Sequence, residues 1–266
     1  MLGSVLLKGL HDLRRGFAWW SLGLAGLVAM MVSVYPTVRD SPELNRLVED
    51  YPEALKAFIA FGGSVDYVSG PGYLGSELYS FMVPLLFIVC AVGNGAGAIA
   101  GEEESGTLDL LLAHPIARRR LAVEKLGAMA LQLVGLGTVL WLALVVGSAI
   151  VGMGVSAVNL AAATAGAALL ALAFGAIAFM VGAATGHRAL AIGLATAAAV
   201  AAYLVNSLAA LVHLLHGPQK FSPFYHYAAA DPLRQGFALD HSLVPIAIAV
   251  VAAVAGVLLF ERRDVA

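Results

Sequence analysis

Six long apolar stretches, none with an Asp, Glu, Lys or Arg in its interior, constrain the fold more than any other feature. An α-helix needs about 20 apolar residues to cross roughly 30 Å of hydrocarbon, and each stretch is that long. Strands of a membrane β-barrel would be shorter and would alternate in polarity. We therefore predict an all-α integral membrane protein with six transmembrane helices, near residues 17–38, 78–100, 126–153, 160–184, 189–215 and 242–260.

The composition agrees with a chain whose solvent is partly lipid. Of the 266 residues, 61% are hydrophobic and 12% are charged, whereas a soluble domain is about half apolar and a quarter charged. A formal net charge of −2 gives no reason to expect a nucleic-acid partner. The only cysteine, Cys90, lies inside an apolar stretch and is expected to be a buried thiol.

The Lys and Arg residues indicate the orientation of the chain in the membrane. If the N-terminus is cytoplasmic, ten of these cations fall in inner segments and five in outer ones. The positive-inside rule then places both termini in the cytoplasm, with Trp19 and Trp20 at the inner aromatic belt. The expected location is the cell (plasma) membrane, with multiple crossings and direct contact with lipid.

Four segments lie outside the predicted spans of a single transmembrane domain that covers residues 1–266. Residues 6–15 mix leucines with basic residues and predict an amphipathic helix on the inner membrane surface. Residues 39–77 form an acidic outer loop with helical periodicity at 42–61, and 217–241 form a second outer segment. Residues 101–125 form the longest charged inner segment.

Several kinds of chemistry are missing from the sequence. It has no Gly-x-x-x-x-Gly-Lys-Ser/Thr loop for nucleotide binding. Ion-driven transporters usually place ionisable groups near the middle of the bilayer, so their absence from the spans argues against such a transporter. No arrangement typical of an intramembrane protease is present either. We assign no catalytic residue and expect the chain to bind no cofactor of its own.

The histidines near the predicted outer face are His213, His216, His226 and His241. His213 and His216 share a helix face because they are three residues apart. No Cys or carboxylate at ligand spacing supports a metal site, so we assign no metal ligand.

Two groups of residues within the spans, the glycines of 93–97 and the asparagines, can each be interpreted in two ways. The glycine-rich run 93–97 indicates either a seam where helices or subunits pack closely, or a generic content of small residues. Asn94 and Asn206 are candidates for lining a transport path. The simpler interpretation, which we favour, is a hydrogen bond between neighbouring helices.

The inner segment 101–125 combines an acidic cluster, a short amphipathic helix and an arginine cluster. Ser105 or Thr107 can cap the helix, and Asp109 in its first turn suits the helix dipole. Leu108, Leu111 and Leu112 form one apolar face, and Pro115 ends the helix. A solvated loop would not explain leucines beside glutamates at a cytoplasmic site. We therefore expect a short helix that docks a soluble partner.

The run from Gly101 to Leu112 reads Gly-Glu-Glu-Glu-Ser-Gly-Thr-Leu-Asp-Leu-Leu-Leu, and Pro115, Arg118 and Lys125 follow it. This pattern resembles the segment between spans two and three of ABC-2 type transporter permeases. Ser222-Pro223-Phe224 is similar to an outer element of that family. The long first loop, with Tyr51-Pro52-Glu53-Ala54-Leu55 and Gly70-Pro71-Gly72-Tyr73-Leu74, looks like a subgroup with multidrug and nitrous-oxide-reductase maturation permeases. Glu103 departs from the pattern, which often has Arg there.

The resemblance implies a permease subunit of an ATP-driven exporter. A separate ATP-binding subunit would carry ATP and Mg²⁺, and a second permease subunit would complete a homodimer or heterodimer. The resemblance and the apolar spans together favour an apolar or amphipathic cargo such as a drug, a lipid or a peptide-like compound. Pro223 and Phe224 become candidates for an outer gate. The docking residues would be Glu102, Glu103, Glu104, Gly106, Thr107, Leu108, Leu111, Leu112, His114, Pro115 and Arg118.

Two other functions remain open from the sequence. The chain could be a membrane scaffold that recruits a cytoplasmic partner without transport, in which case it would leave the ATPase rate of that partner unchanged. It could also be a channel or secondary transporter, in which case its flux would persist without ATP.

Overall fold

The computed structural model describes residues 5–41, 43, 66, 68–112, 116–209 and 212–263, except for the side chains of Leu110, Leu112 and His213. The helix predicted at 42–61, including residues 51–55, lies outside this part apart from Glu43. The described residues contain no β-strand. The helices are α1 (Val5–Arg39), α2 (Gly70–Glu104), α3 (Leu108–Leu112), α4 (Arg118–Val151), α5 (Ala157–Thr185), α6 (Arg188–Leu208), α7 (His216–Gln219), α8 (Pro223–Ala229), α9 (Pro232–Gln235) and α10 (Leu239–Arg262).

Six of the described helices are long and apolar enough to cross a membrane, namely α1, α2, α4, α5, α6 and α10. The predicted all-helical fold with six candidate spans is therefore confirmed. The orientation of the termini stays a prediction. The segment 6–15 is not a separate helix, because α1 runs without a break from Val5 to Arg39.

Helix α2 is longer at both ends than the predicted span 78–100. It starts at Gly70, because the hydroxyl of Ser69 accepts a hydrogen bond from the amide of Gly72 at 3.2 Å and Pro71 fits the first turn. The residues around Ser69 are of types that often break a helix, and here they begin one. The far end continues through Glu104, so the glutamate cluster is helical.

Two stretches of α2 have π-helical geometry, at Leu74–Met82 and Gly97–Gly101. In the first, the backbone carbonyl of Tyr79 accepts a hydrogen bond from the hydroxyl of Tyr227 on α8 at 2.8 Å. The hydroxyl of Tyr79 in turn lies 2.7 Å from that of Thr164 on α5. A π-helical stretch commonly occurs where function or packing needs it. Here it joins α2, α5 and α8 through buried polar groups.

Helix α6 ends at Leu208, earlier than the predicted limit at residue 215. The chain then turns back onto α6 rather than continuing its axis. The amide of Gln219 donates to the side-chain oxygen of Asn206 at 3.3 Å, and the hydroxyl of Ser222 donates to the carbonyl of Ala202 at 2.9 Å. Apolar content alone therefore overestimates the length of this span.

Helix α5 is the central element of the bundle and packs against α2, α4, α6 and α10. Its contact with α2 is a close backbone approach, since a Cβ added at Gly95 would lie 2.1 Å from the carbonyl oxygen of Gly175. On its other side, the ring of Phe179 fills the space at Gly256 of α10. Small residues let helices approach in this way within lipid. The run 93–97 thus includes a packing seam inside this chain.

Candidate functional site

The charged segment after α2 begins with a tight turn that requires glycine. Gly106 has φ +68°, a conformation that glycine adopts without strain. The amide of Gly106 donates to the carbonyl of Glu103 at 3.0 Å, and that of Thr107 donates to the carbonyl of Glu102 at 2.9 Å. This pair of bonds is a Schellman motif, which satisfies the last carbonyls of a helix. It ends α2 and redirects the chain into α3.

Each of the three glutamates at the end of α2 contacts a different part of the bundle. Glu102 pairs with Lys125 of α4, and both side chains are at most 15% exposed. Glu103 pairs with Arg263, which follows α10. Glu104 accepts a hydrogen bond from the backbone amide of Arg188, the first residue of α6, at 2.8 Å. We call this region the charged end, defined by Glu102, Glu103, Glu104, Lys125, Arg188 and Arg263.

Arg263 makes polar contacts with three other residues at the charged end. Besides Glu103, its guanidinium binds the carbonyl of Ala183 near the end of α5 at 3.1 Å, and its own carbonyl accepts a hydrogen bond from Arg118. The pair of Glu103 and Arg263 lies against Gly186, where a Cβ would meet both side chains within 2.7 Å. Gly186 also has φ +70°. The turn from α5 to α6 is thus held between α2 and the residues after α10.

Leu108 and Leu111 of α3 pack inward. Leu108 is only 1% exposed and belongs to a cluster with Ile99, Leu121 and Phe260, and Leu111 packs against the same cluster. The side chain of Leu108 is thus covered by this chain, and its predicted part in a docking surface stays a prediction. Around the turn from α2 into α3 the exposed residues are Glu104, Ser105, Gly106 and Asp109, and Arg119 and Arg120 are exposed at the start of α4.

Of the remaining predicted docking residues, some contact this chain and others lie outside the part that the structure describes. Thr107 is half-buried, and its hydroxyl binds the Glu102 carboxylate. The Arg118 guanidinium lies 6.0 Å from the centre of the Phe260 ring, within cation–π range. His114, Pro115 and the side chain of Leu112 lie outside what the structure describes. A docking role for the segment stays a prediction.

Asn94 lies beside the charged end and Asn206 near the opposite end, so the structure does not bring them together. The amide nitrogen of Asn94 donates to the side-chain oxygen of Gln132 on α4 at 2.8 Å. Asn94 also lines a polar cavity of about 360 Å³ with Asp12, Glu102, Lys125 and Arg188. Both asparagines therefore make hydrogen bonds within the chain. A role for either in a transport path stays a prediction.

A second, apolar groove of about 370 Å³ runs between α2 and α6. Phe224 lines it and packs against Phe174 and Tyr203, with ring centres 5.8 Å and 5.4 Å away. Pro223, the first residue of α8, is buried beside it. Gly93 borders both this groove and the polar cavity. The two cavities therefore follow one another along the same side of α2.

Sequence reasoning missed the roles of Lys125, Arg188 and Arg263 as partners of the glutamates. Arg263 is 160 positions from Glu103, so sequence spacing gives no signal for that pair. The available signal for Lys125 and Arg263 is their opposite charge, because they and the glutamates are all predicted to lie on the inner side. The bond from Arg188 comes from its backbone amide, so its side-chain charge gives no such signal. Among the described residues, no group of three His, Cys, Asp or Glu side chains is placed to hold a metal ion.

The chain is similar to known membrane proteins. A family model described as ABC-2 family transporter protein matches residues 11–265. The "Probable ABC transporter permease protein NosY" of Stutzerimonas stutzeri is 29% identical over 180 residues, which cover 62% of this chain and 60% of that protein. A protein of the same name from Pseudomonas aeruginosa is 37% identical over 90 residues, which cover 33% of this chain and 29% of the relative.

Both matches span less than two thirds of the relative's length. The family model, in contrast, covers nearly the whole chain, including the charged segment, most of α1 and the other five candidate spans. The chain therefore belongs to the ABC-2 family of transporter proteins.

Proposed function

We propose that this chain is the membrane-spanning permease subunit of an ATP-driven ABC exporter. Family membership and the two permease relatives support the class. The sequence has no nucleotide-binding loop, so the energy would come from a separate ATP-binding subunit that carries ATP and Mg²⁺.

The observation that carries the proposal is the set of contacts made by Glu102, Glu103 and Glu104. They connect the end of α2 to α4, to the residues after α10 and to the start of α6. A force applied to the segment 101–125 would therefore reach four of the six candidate spans through direct polar contacts. Packed elements and polar networks with two arrangements are the usual carriers of such coupling.

The docking surface would be the exposed side of residues 104–109, where α2 turns into α3. Glu104, Ser105, Gly106 and Asp109 are exposed there, whereas Leu108 and Leu111 pack onto the bundle. A partner that recognises this side would contact carboxylates and a tight turn. The surface thus favours basic or hydrogen-bond-donating groups on the ATP-binding subunit.

The transport path would follow the side of α2 that faces α6. It would start in the polar cavity beside Asn94 and continue along the apolar groove towards Phe224. The groove is lined by side chains such as Phe81, Leu85 and Ile88, which favour an apolar or amphipathic compound as cargo. A second permease subunit would close the open side of this groove.

The experiment is ATP hydrolysis by a candidate ATP-binding subunit in lipid vesicles, with and without this chain. We expect hydrolysis to rise when the chain is present, and Asp109→Arg on the exposed side of α3 to abolish the rise. Glu77→Arg is the matched control, because Glu77 is an exposed carboxylate near the other end of α2. Unchanged hydrolysis in a stable complex would favour the scaffold function instead.

A further inference from the structure

Two histidines from different elements meet at the end of the bundle opposite the glutamates. His226 is on α8 and His241 is in the first turn of α10, and their Nδ1 atoms lie 3.4 Å apart. The ring centres are 5.5 Å apart, so the rings meet by their nitrogen edges rather than their faces. Both side chains are half-buried and line a cavity of about 60 Å³ among α5, α8 and α10.

The other nitrogen of His226 fixes the tautomer of its ring. Its Nε2 lies 2.9 Å from the backbone carbonyl of Lys220, and a carbonyl can only accept a hydrogen bond. Nε2 therefore carries the hydrogen. In the neutral ring, the lone pair is then on Nδ1 and faces His241.

His241 has a similar environment. Its Nε2 lies 3.8 Å from the carboxylate of Asp240, which is beyond hydrogen-bond distance but places a negative charge beside that nitrogen. In the tautomer with the hydrogen on Nε2, the lone pair of His241 is also on Nδ1. Two lone pairs that face each other repel unless a positively charged group lies between or beside them. Histidine ligands of metals typically direct the other ring nitrogen to a carbonyl or carboxylate. His226 does so, and His241 has a carboxylate near the corresponding nitrogen.

We propose that His226 and His241 form a binding site for a divalent transition-metal ion of tetrahedral preference, such as Zn²⁺. Imidazole nitrogens about 2.0–2.1 Å from a tetrahedral Zn²⁺ are about 3.3 Å apart, close to the separation found here. Cis ligands of a square-planar ion would stand closer together. The cavity has room for water at the other coordination positions.

The site would bind its ion reversibly. No third His, Cys, Asp or Glu joins the pair among the residues that the structure describes, so protein ligands do not enclose the ion. The bound ion would connect α8 to α10, two elements that otherwise meet through packing. This inference does not depend on ATP hydrolysis or on a docked partner.

The test uses purified, untagged protein that has been freed of metal with a chelator. Zn²⁺ is titrated by calorimetry, and Co²⁺ is followed by the visible absorption of tetrahedral cobalt. We expect one ion to bind per chain, and His226→Gln and His241→Gln each to abolish binding. His187→Gln is the control, since His187 is exposed at the charged end. No binding by the unmodified chain, or undiminished binding in the double variant, would overturn the site.

A second measurement needs no substitution and so does not depend on whether the variants fold. Diethyl pyrocarbonate modifies imidazole nitrogens, and mass spectrometry locates the modified residues. We expect Zn²⁺ to slow the modification of His226 and His241 several-fold and to leave His187 unaffected. Equal rates with and without Zn²⁺ would mean that the two rings share only a hydrogen bond. Neither result bears on stimulation of an ATP-binding subunit, so the two proposals fail separately.

Discussion

The carboxylate of Glu104 accepts a hydrogen bond from the backbone amide of Arg188 at 2.8 Å, although the residues are 84 positions apart. Glu104 is the last helical residue of α2, and Arg188 begins α6. The first amides of a helix lack partners within it, and a negative charge there is favoured by the helix dipole. One side chain thus connects the ends of two candidate spans.

Replacing this carboxylate should loosen the start of α6. For Glu104→Ala we expect a loss of about 1 kcal/mol in local stability, as for other helix caps, since the amide of Arg188 loses its partner. Hydrogen exchange followed by mass spectrometry would show faster exchange in peptides that cover residues 188–192. Asp109→Ala is the control, because Asp109 is exposed on α3. Equal exchange in both variants would refute the capping role.

The pair of Glu102 and Lys125 is suited to a charge exchange. Breaking a largely buried ion pair leaves an unpaired charge, so Glu102→Lys and Lys125→Glu should each lower the melting temperature clearly. The double variant restores opposite charges at the same place. We expect it to recover part of the loss, with a coupling energy of about 0.5–3 kcal/mol. Strictly additive losses would show that the two side chains do not interact.

The turn at Gly106 tests whether the geometry of the charged segment matters for coupling. Gly106→Ala forces a Cβ into the left-handed region, which costs about 1–2 kcal/mol, and Gly106→Pro cannot adopt that φ at all. Asn tolerates this conformation better and serves as the control. We expect stimulation of the ATP-binding subunit to fall in the order Gly, Asn, Ala, Pro. Full stimulation by the Pro variant would contradict the coupling role.

Two glycines on α2 give a matched test of the packing seam. A Cβ at Gly95 would lie 2.1 Å from a backbone oxygen of α5, which cannot move alone, so Gly95→Ala should separate the helices. A Cβ added at Gly93 would have nothing within 4 Å, so Gly93→Ala should be neutral or stabilising. Melting temperatures in detergent would distinguish the two variants. Similar values for both would disprove the close approach.

The number of spans is predictable from the sequence because continuous apolar runs of about 20 residues have few other stable folds in lipid. The boundaries are less predictable. Ser69 and Pro71 are of types found both in helix breaks and at helix starts, and only the packing of the neighbouring residues decides between the two. The end of α6 has no local signal, because the bonds from Gln219 and Ser222 depend on the chain folding back.

The sequence predicts that the glutamate-rich segment has a function, but it does not predict which side chains pair with one another there. A run of three glutamates beside leucines indicates a special segment, yet nothing local shows that Glu103 pairs with Arg263 or that Leu108 is buried. Such pairs form only when distant helix ends meet. The pairing of His226 with His241 is hidden for the same reason, since the chain between them turns through α9.

The most direct test of docking at the charged segment is the accessibility of residue 109 in the assembled complex. Cys90 is the only native cysteine and is buried, so Asp109→Cys supplies a single exposed thiol. Its labelling by a maleimide is timed in inside-out vesicles, with and without the ATP-binding subunit. We predict fast labelling of the chain alone and strong protection when the subunit is bound. Equal labelling rates in a complex that is shown to be assembled would contradict docking at this segment.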